Sequence, residues 1–285
     1  MFSSSEFLRS QAIRVGIRCP FVKGIRLYTV SMSSQLQTPV DPRTQRALAE
    51  WLASRFKEVD WLVPPYLKTG FLSKLAHTIE VASPADRMQI MQVNLASAYG
   101  PEYLAVMFLE RYSKIIHVRD FKEHIGESIG AYFSGHKLVA IIALVPVLEG
   151  IVRKIAASHG RPIGVGTSKL IHEFEAFIDA EIKSQCCFGE RVVMLEVLRD
   201  FVRDRLLKRT DSYSGLNELN RHGILHGMYG NFGVEMNFFR LITLLDLLCF
   251  AIGLEHGGSC FAPKPTPESL RLAEHYKRVK ALSAI

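Results

Sequence analysis

The chain has 285 residues, of which 48% are hydrophobic and 22% charged. That balance excludes a disordered chain and is enough for one extended helical domain or two smaller ones. The formal charge of +7 and a pI near 9.2 favour acidic partners such as nucleic acid but fix no site.

Much of the excess charge lies at the front. Residues 1–31 carry Arg9, Arg14, Arg18, Lys23 and Arg26 against Glu6, a contribution of +4 that leaves +3 for the rest. The segment 1–40 reads as a flexible basic arm, Arg- and Ser-rich, with no long apolar signal core. Three readings stand for it: an organellar targeting segment, a nucleic-acid-binding arm, or sequence upstream of a true start at Met32. The reading taken is a start at Met32 or a plain tail. Five cysteines, Cys19, Cys186, Cys187, Cys249 and Cys260, form an odd set with no C-x-x-C spacing, which fits a reducing cytoplasm. The adjacent Cys186 and Cys187 are read as thiols at a helix end, without a function.

Residues 41–134 are expected to form an N-terminal helical region, a bundle of its own. Asp41 and Pro42 suit a cap and a first turn, and Ala47, Leu48, Trp51, Leu52 and Phe56 continue at helical spacing. Pro64-Pro65 interrupts. Further helices are expected over 66–80, 83–98, 101–117 and 120–133, most with a proline or cap near the start. His77, His117 and His124 are dispersed, and ordinary surface or core positions account for them.

The region 135–258 has longer helices. The segment 138–158 is apolar nearly all round, which implies burial on several sides or against a partner chain. Its exceptions, Glu149 and Arg153, are spaced to pair at i,i+4, while Glu149 could instead line a cleft and orient an imidazole. Gly160 to Gly166, GRPIGVG, lacks the Lys-Ser/Thr ending of a phosphate loop and reads as a connection between helices. Helices follow from Thr167 or Ser168 past Ile182, and from 190 to Arg209. The second is basic towards its end, where Lys208 and Arg209 join Arg199, Arg203 and Arg205 against Asp200 and Asp204, and it reads as a solvated face ahead of one that steers a phosphate backbone to the motif. A long apolar helix over 234–254 comes next, and 259–285 is a proline-bearing connection and a polar terminal helix. No transmembrane helix is expected, because Glu149, Arg240 and Asp246 interrupt the apolar runs. No alternation suggests a strand, so the fold class is all-α, a multi-helix bundle.

The candidate site is Leu219-Asn220-Arg221-His222-Gly223-Ile224-Leu225-His226-Gly227. Arg221 can hold an anion permanently, and imidazole changes protonation near neutral pH, a combination suited to a phosphodiester. At ~100° per residue, His222 and His226 share a helix face and Arg221 lies roughly 140° from His226. Either Gly223 and Gly227 reshape the turn, or two chains share one site. Tyr229 and Phe232, in the loop that follows, are placed for a base to stack on or for packing on the bundle.

Arg221, His222, three residues, then His226 resembles the ribonuclease motif of the HEPN superfamily, Arg followed by Asn, Asp or His, three residues and His. The resemblance extends to the apolar helices on either side, covering about 137–254, and makes the region 135–258 a HEPN-like helical domain. It departs in one respect: many toxin members carry Tyr two residues after the His, where this chain has Met228, with Tyr229 one further on.

The resemblance implies a metal-independent endoribonuclease that needs no cofactor, acts as a homodimer and cleaves RNA by 2′-hydroxyl attack. Arg221 and His226 would be its catalytic residues, and Asn220, His222, Glu149 and Tyr229 its substrate-binding residues. It also implies a setting in phage defence or toxin–antitoxin systems, with an antitoxin or other protein as partner and no membrane. The alternative is an inactive HEPN-like module that binds RNA, a nucleotide or a protein. A third reading, His222 and His226 as an i,i+4 metal pair, needs further ligands from elsewhere. No metal is therefore assigned.

Overall fold

The computed structural model describes residues 42–160, 164, 166–214 and 218–283. The expectations for the basic N-terminal segment, Cys19, Asp41 as a cap and most of GRPIGVG lie outside these residues. Among the described residues the fold is all-α, with no strand.

The helices are α1 (Pro42–Lys57), α2 (Thr69–Val81), α3 (Arg87–Ala98), α4 (Pro101–Met107), α5 (Lys122–Phe133), α6 (Lys137–Ser158), α7 (Thr167–Ser184), α8 (Gly189–Phe201), α9 (Arg221–Leu225), α10 (Glu235–Glu255) and α11 (Pro267–Leu282). Two expected helices are shorter than their periodicity implied. The one over 101–117 leaves α-geometry at Met107 and continues as a π-turn, Phe108–Tyr112. The one ending near Arg209 stops at Phe201 and passes into a π-turn, Val202–Leu206. Prolines mark the first turns of α4 and α11, where their missing N–H costs nothing. In α11, Thr266 and Ser269 form a reciprocal capping box.

α10 is the axis of the fold. Every residue from Met236 to Leu254 is buried, and α3, α6, α7 and α8 all pack against it. Against expectation, α10 is long and apolar enough to cross a membrane by length and composition, and 94% of its apolar window is buried inside the fold.

Burying it all round requires that its polar side chains find partners, because an unpaired buried polar group costs ~1–3 kcal/mol. Asn237, Arg240, Thr243 and Asp246 recur every third residue and form a slowly winding polar spine. Asn237 Nδ2 donates to the Phe232 carbonyl at 2.8 Å. Arg240 donates to the carbonyls of Asp60 at 2.9 Å and Val59 at 3.2 Å, and its guanidinium lies 4.8 Å from the Trp61 ring centre. Thr243 pairs with the Tyr99 hydroxyl at 2.7 Å, and Asp246 accepts from Tyr103 and Tyr112, each at 2.6 Å.

The partners Val59, Asp60, Tyr99, Tyr103 and Tyr112 all come from the segment expected to be a separate N-terminal bundle. Residues 42–285 instead form one compact unit with one core, in which α1 packs on α8 and α4 on α11. The boundaries drawn at residues 134 and 258 therefore fall inside a single body. The spine explains why: its buried donors and acceptors are satisfied only when both segments are in place.

Candidate functional site

The motif occupies a short corner between the Val202–Leu206 turn and α10. α9 is too short to be stable by itself, since a helix that short does not repay its nucleation, and both its ends are fixed by side chains and backbone. At the front, Asn220 caps it: Oδ1 accepts from the Gly223 amide at 2.9 Å. The other end of the same side chain donates to the carbonyls of Arg205 at 3.0 Å and Lys208 at 2.6 Å. At the back, Gly227 takes φ +67, the Met228 amide donates to the Gly223 carbonyl at 2.8 Å, and the Gly227 amide donates to that of Ile224 at 3.2 Å. This is a Schellman ending, which needs a residue tolerant of left-handed geometry. Gly223 answers a separate demand, because a Cβ there would meet the Tyr229 ring at 2.4 Å.

Within this frame the polar side chains divide. Arg221 turns towards α6, where its Nε donates to Glu149 Oε2. Glu149 is buried, and its other oxygen accepts from Arg153 Nε at 3.0 Å and from its terminal nitrogen at 2.6 Å. One carboxylate thus holds two arginines. His222 and His226 face outwards, both exposed, with ring centres 4.3 Å apart. No hydrogen bond or ion pair joins either imidazole to Arg221 or Glu149.

A cleft of about 430 Å³ opens beside them, lined by Thr167, Leu207, Lys208, Arg209, Thr210, Asp211, Arg221, His222 and Met228. It brings the two basic residues at 208 and 209 onto the same surface as Arg221. Of its other lining residues, Thr167 is read from sequence only as a helix start and Met228 only as the residue at the family tyrosine's position, while Thr210 carries no sequence signal. They reach the cleft through loop geometry that no local pattern encodes.

Several expected roles change. Asn220 is fully buried with its oxygen and nitrogen both engaged, so it shapes the corner and does not face a substrate. Glu149 is likewise committed to Arg153 and Arg221. It positions Arg221 and orients no imidazole. Phe232 is buried and closed to base stacking. Tyr229 is half-buried, its ring on Gly223 and 5.9 Å from that of Tyr213, and burial raises its hydroxyl pKa. Met228, at the position of the family tyrosine, is exposed on the rim of the cleft. Among the described residues, no group of three or more His, Cys, Asp or Glu side chains could hold a metal ion.

The fold and site define an all-α protein with an Arg–His corner opening on a basic cleft. No family model, curated protein or solved structure matches the chain.

Proposed function

We propose that the chain is a metal-independent endoribonuclease of HEPN type, acting as a homodimer. The observation that carries this reading is the corner itself. Caps at both ends fix Arg221 at the wall of a basic cleft through Glu149, and leave His222 and His226 open to solvent beside it.

In the proposed reaction Arg221 holds the scissile phosphate and offsets the charge that grows on it. His226 takes the proton from the 2′-hydroxyl as that oxygen attacks phosphorus. The P–O5′ bond breaks, the leaving oxygen gains a proton, and a 2′,3′-cyclic phosphate and a 5′-hydroxyl remain. Because Arg221 turns inwards and His226 outwards on one chain, the reading gives each complete site an Arg221 from one protomer and a His226 from the other. A face for that pairing is supported by Leu138, Val139 and Ile142, exposed apolar side chains in the first turns of α6, with the exposed Val234 following Gly233, which lies against Leu138.

Mixing tests the shared site. Arg221→Ala and His226→Ala are each expected to be inactive with helicity unchanged. Recombined in equal amounts, they regain about a quarter of wild-type cleavage, since half of the dimers are mixed and each holds one intact site. Inactivity of the mixture, with exchange of protomers demonstrated, rejects the shared site.

One observation favours the second reading, a module that binds RNA, a nucleotide or a protein without turnover: among the described residues no carboxylate orients either imidazole. Binding without cleavage is its signature.

A further inference from the structure

From Arg199 to Arg209 the chain carries four arginines, and the fold matches each with a carboxylate. Arg199 pairs with Asp179 at 2.8 Å, and Arg203 with Asp204 at 2.7 Å and with Glu175 at 3.3 Å. Arg205 pairs with Asp60 and Arg209 with Asp211, at 2.9 and 2.8 Å. Arg221, across the cleft, is matched by Glu149. Lys208 is the exception, for among the described residues it forms no ion pair, and it is half-buried in the wall of the cleft. The Asp204 carboxyl senses its charge only at longer range, behind the stronger influence of Arg203.

A lysine in that position has a chemical meaning. Its backbone is fixed, since its carbonyl accepts from the buried Asn220 that caps the motif helix. Register between Lys208 and Arg221 is therefore set by a single side chain. Thr167 lines the cleft with it, as do Arg209 and His222, with Asp211 as the sole carboxylate of the lining; Thr210 lines it too, its hydroxyl donating to Asn220 Oδ1 at 3.4 Å. A hydroxyl and an uncompensated ammonium suit phosphate oxygens, and a lysine serves phosphate as a point charge.

We infer that Lys208, with the hydroxyl of Thr167, forms a subsite for a second backbone phosphate of the RNA, next to the one that Arg221 holds. The inference rests on the ribonucleic-acid reading of the site and adds to it a residue outside the Arg–His motif. Two phosphates held at a register set by Asn220 would fix the strand along the cleft, so that the attacking hydroxyl is presented by binding rather than by chance encounter.

The test separates binding from cleavage. The probe is a labelled single-stranded oligoribonucleotide with 2′-O-methyl at every position, which lacks the attacking hydroxyl. Its affinity is measured over a salt series for the full chain and variants. Lys208→Ala is expected to weaken binding roughly tenfold at low salt and to lower the slope of log K against log salt by about 0.7, one strand phosphate. Lys208→Arg retains both values. Lys280→Ala, an exposed lysine of α11, leaves both unchanged.

Alanine keeps the carbonyl that Asn220 uses, so the melting temperature should not move; if it does, Lys208→Gln is read in its place. An unchanged affinity and slope in the Lys208 variants overturn the inference. So does an equal loss in Lys280→Ala, or failure of the wild type to bind the probe. Cleavage of unmodified RNA is scored separately. Binding that depends on Lys208 with no cleavage keeps the subsite and rejects the nuclease, whereas cleavage indifferent to Lys208 does the reverse.

Discussion

Arg240 and Arg221 meet the same problem, a guanidinium drawn into a helical fold, and solve it in opposite ways. Arg240 is sealed in the core, its donors spent on backbone carbonyls and Asn237, and burial lowers its pKa to about 10. Arg221 sits at a cleft, held by one buried carboxylate that it shares with Arg153. The first arrangement ties the early part of the chain to α10 and leaves nothing for a ligand. The second fixes an arginine while keeping it at a surface, with two exposed imidazoles beside it. Satisfaction inside the protein marks the structural polar groups; fixed position with spare capacity marks the candidate functional ones.

The contrast is broken most severely by Arg240→Ala. It empties a fully buried side chain and strands the Val59 and Asp60 carbonyls. The expected cost is about 4 kcal/mol, from cavity and lost hydrogen bonds together, read by denaturant unfolding. A loss below about 1 kcal/mol would show that the spine contributes little to stability.

Asp246 sharpens the same point through pH. Burial raises its carboxyl to about 7 from 3.8, against the opposing hydrogen bonds of Tyr103 and Tyr112 and the charge of Arg111. The native state therefore binds a proton that the unfolded chain has already released. The stability this supplies is complete below the unfolded pKa near 3.8 and lost as pH rises through about 7, at up to ~1.4 kcal/mol per pH unit. Asp246→Asn removes the titration, so between about pH 5 and 7 the wild type should lose up to ~2 kcal/mol more than the variant. Parallel stability curves for the two proteins would contradict this.

These regions also differ in how far the sequence discloses them. The helices are legible because apolar spacing and the prolines at 42, 101 and 267 are local signals. The π-turns at 108–112 and 202–206 are not, and both are met by distant partners: Arg111 donates to the Ser259 and Phe261 carbonyls, Arg205 pairs with Asp60, and the carbonyls of Arg205 and Lys208 face Asn220. The spine lies between these cases. Asn237, Arg240, Thr243 and Asp246 stand in view at a spacing of three, yet taken singly two of them look like interruptions of an apolar run. Read as one stripe, they announce a buried helix with polar partners to find.

At the site, local spacing sets His222 and His226 on one face, and the structure has their rings 4.3 Å apart. Pairing of Glu149 with Arg153 is equally local. The capture of Arg221 by that same Glu149 spans 72 positions of sequence and is invisible without the fold. So is the burial of Asn220, whose polar side chain alone gives no hint that it faces inwards.

The most direct measurement is incubation of labelled single-stranded and structured RNAs with the full chain in excess chelator, beside His226→Ala. His226 is exposed and caps nothing with its side chain, so the variant should keep its stability to within ~0.5 kcal/mol. Cleavage by the wild type alone, leaving 2′,3′-cyclic phosphate ends, is the predicted result. Intact RNA with both proteins, or equal cleavage by both, would contradict the assignment of catalysis to the Arg221–His226 corner.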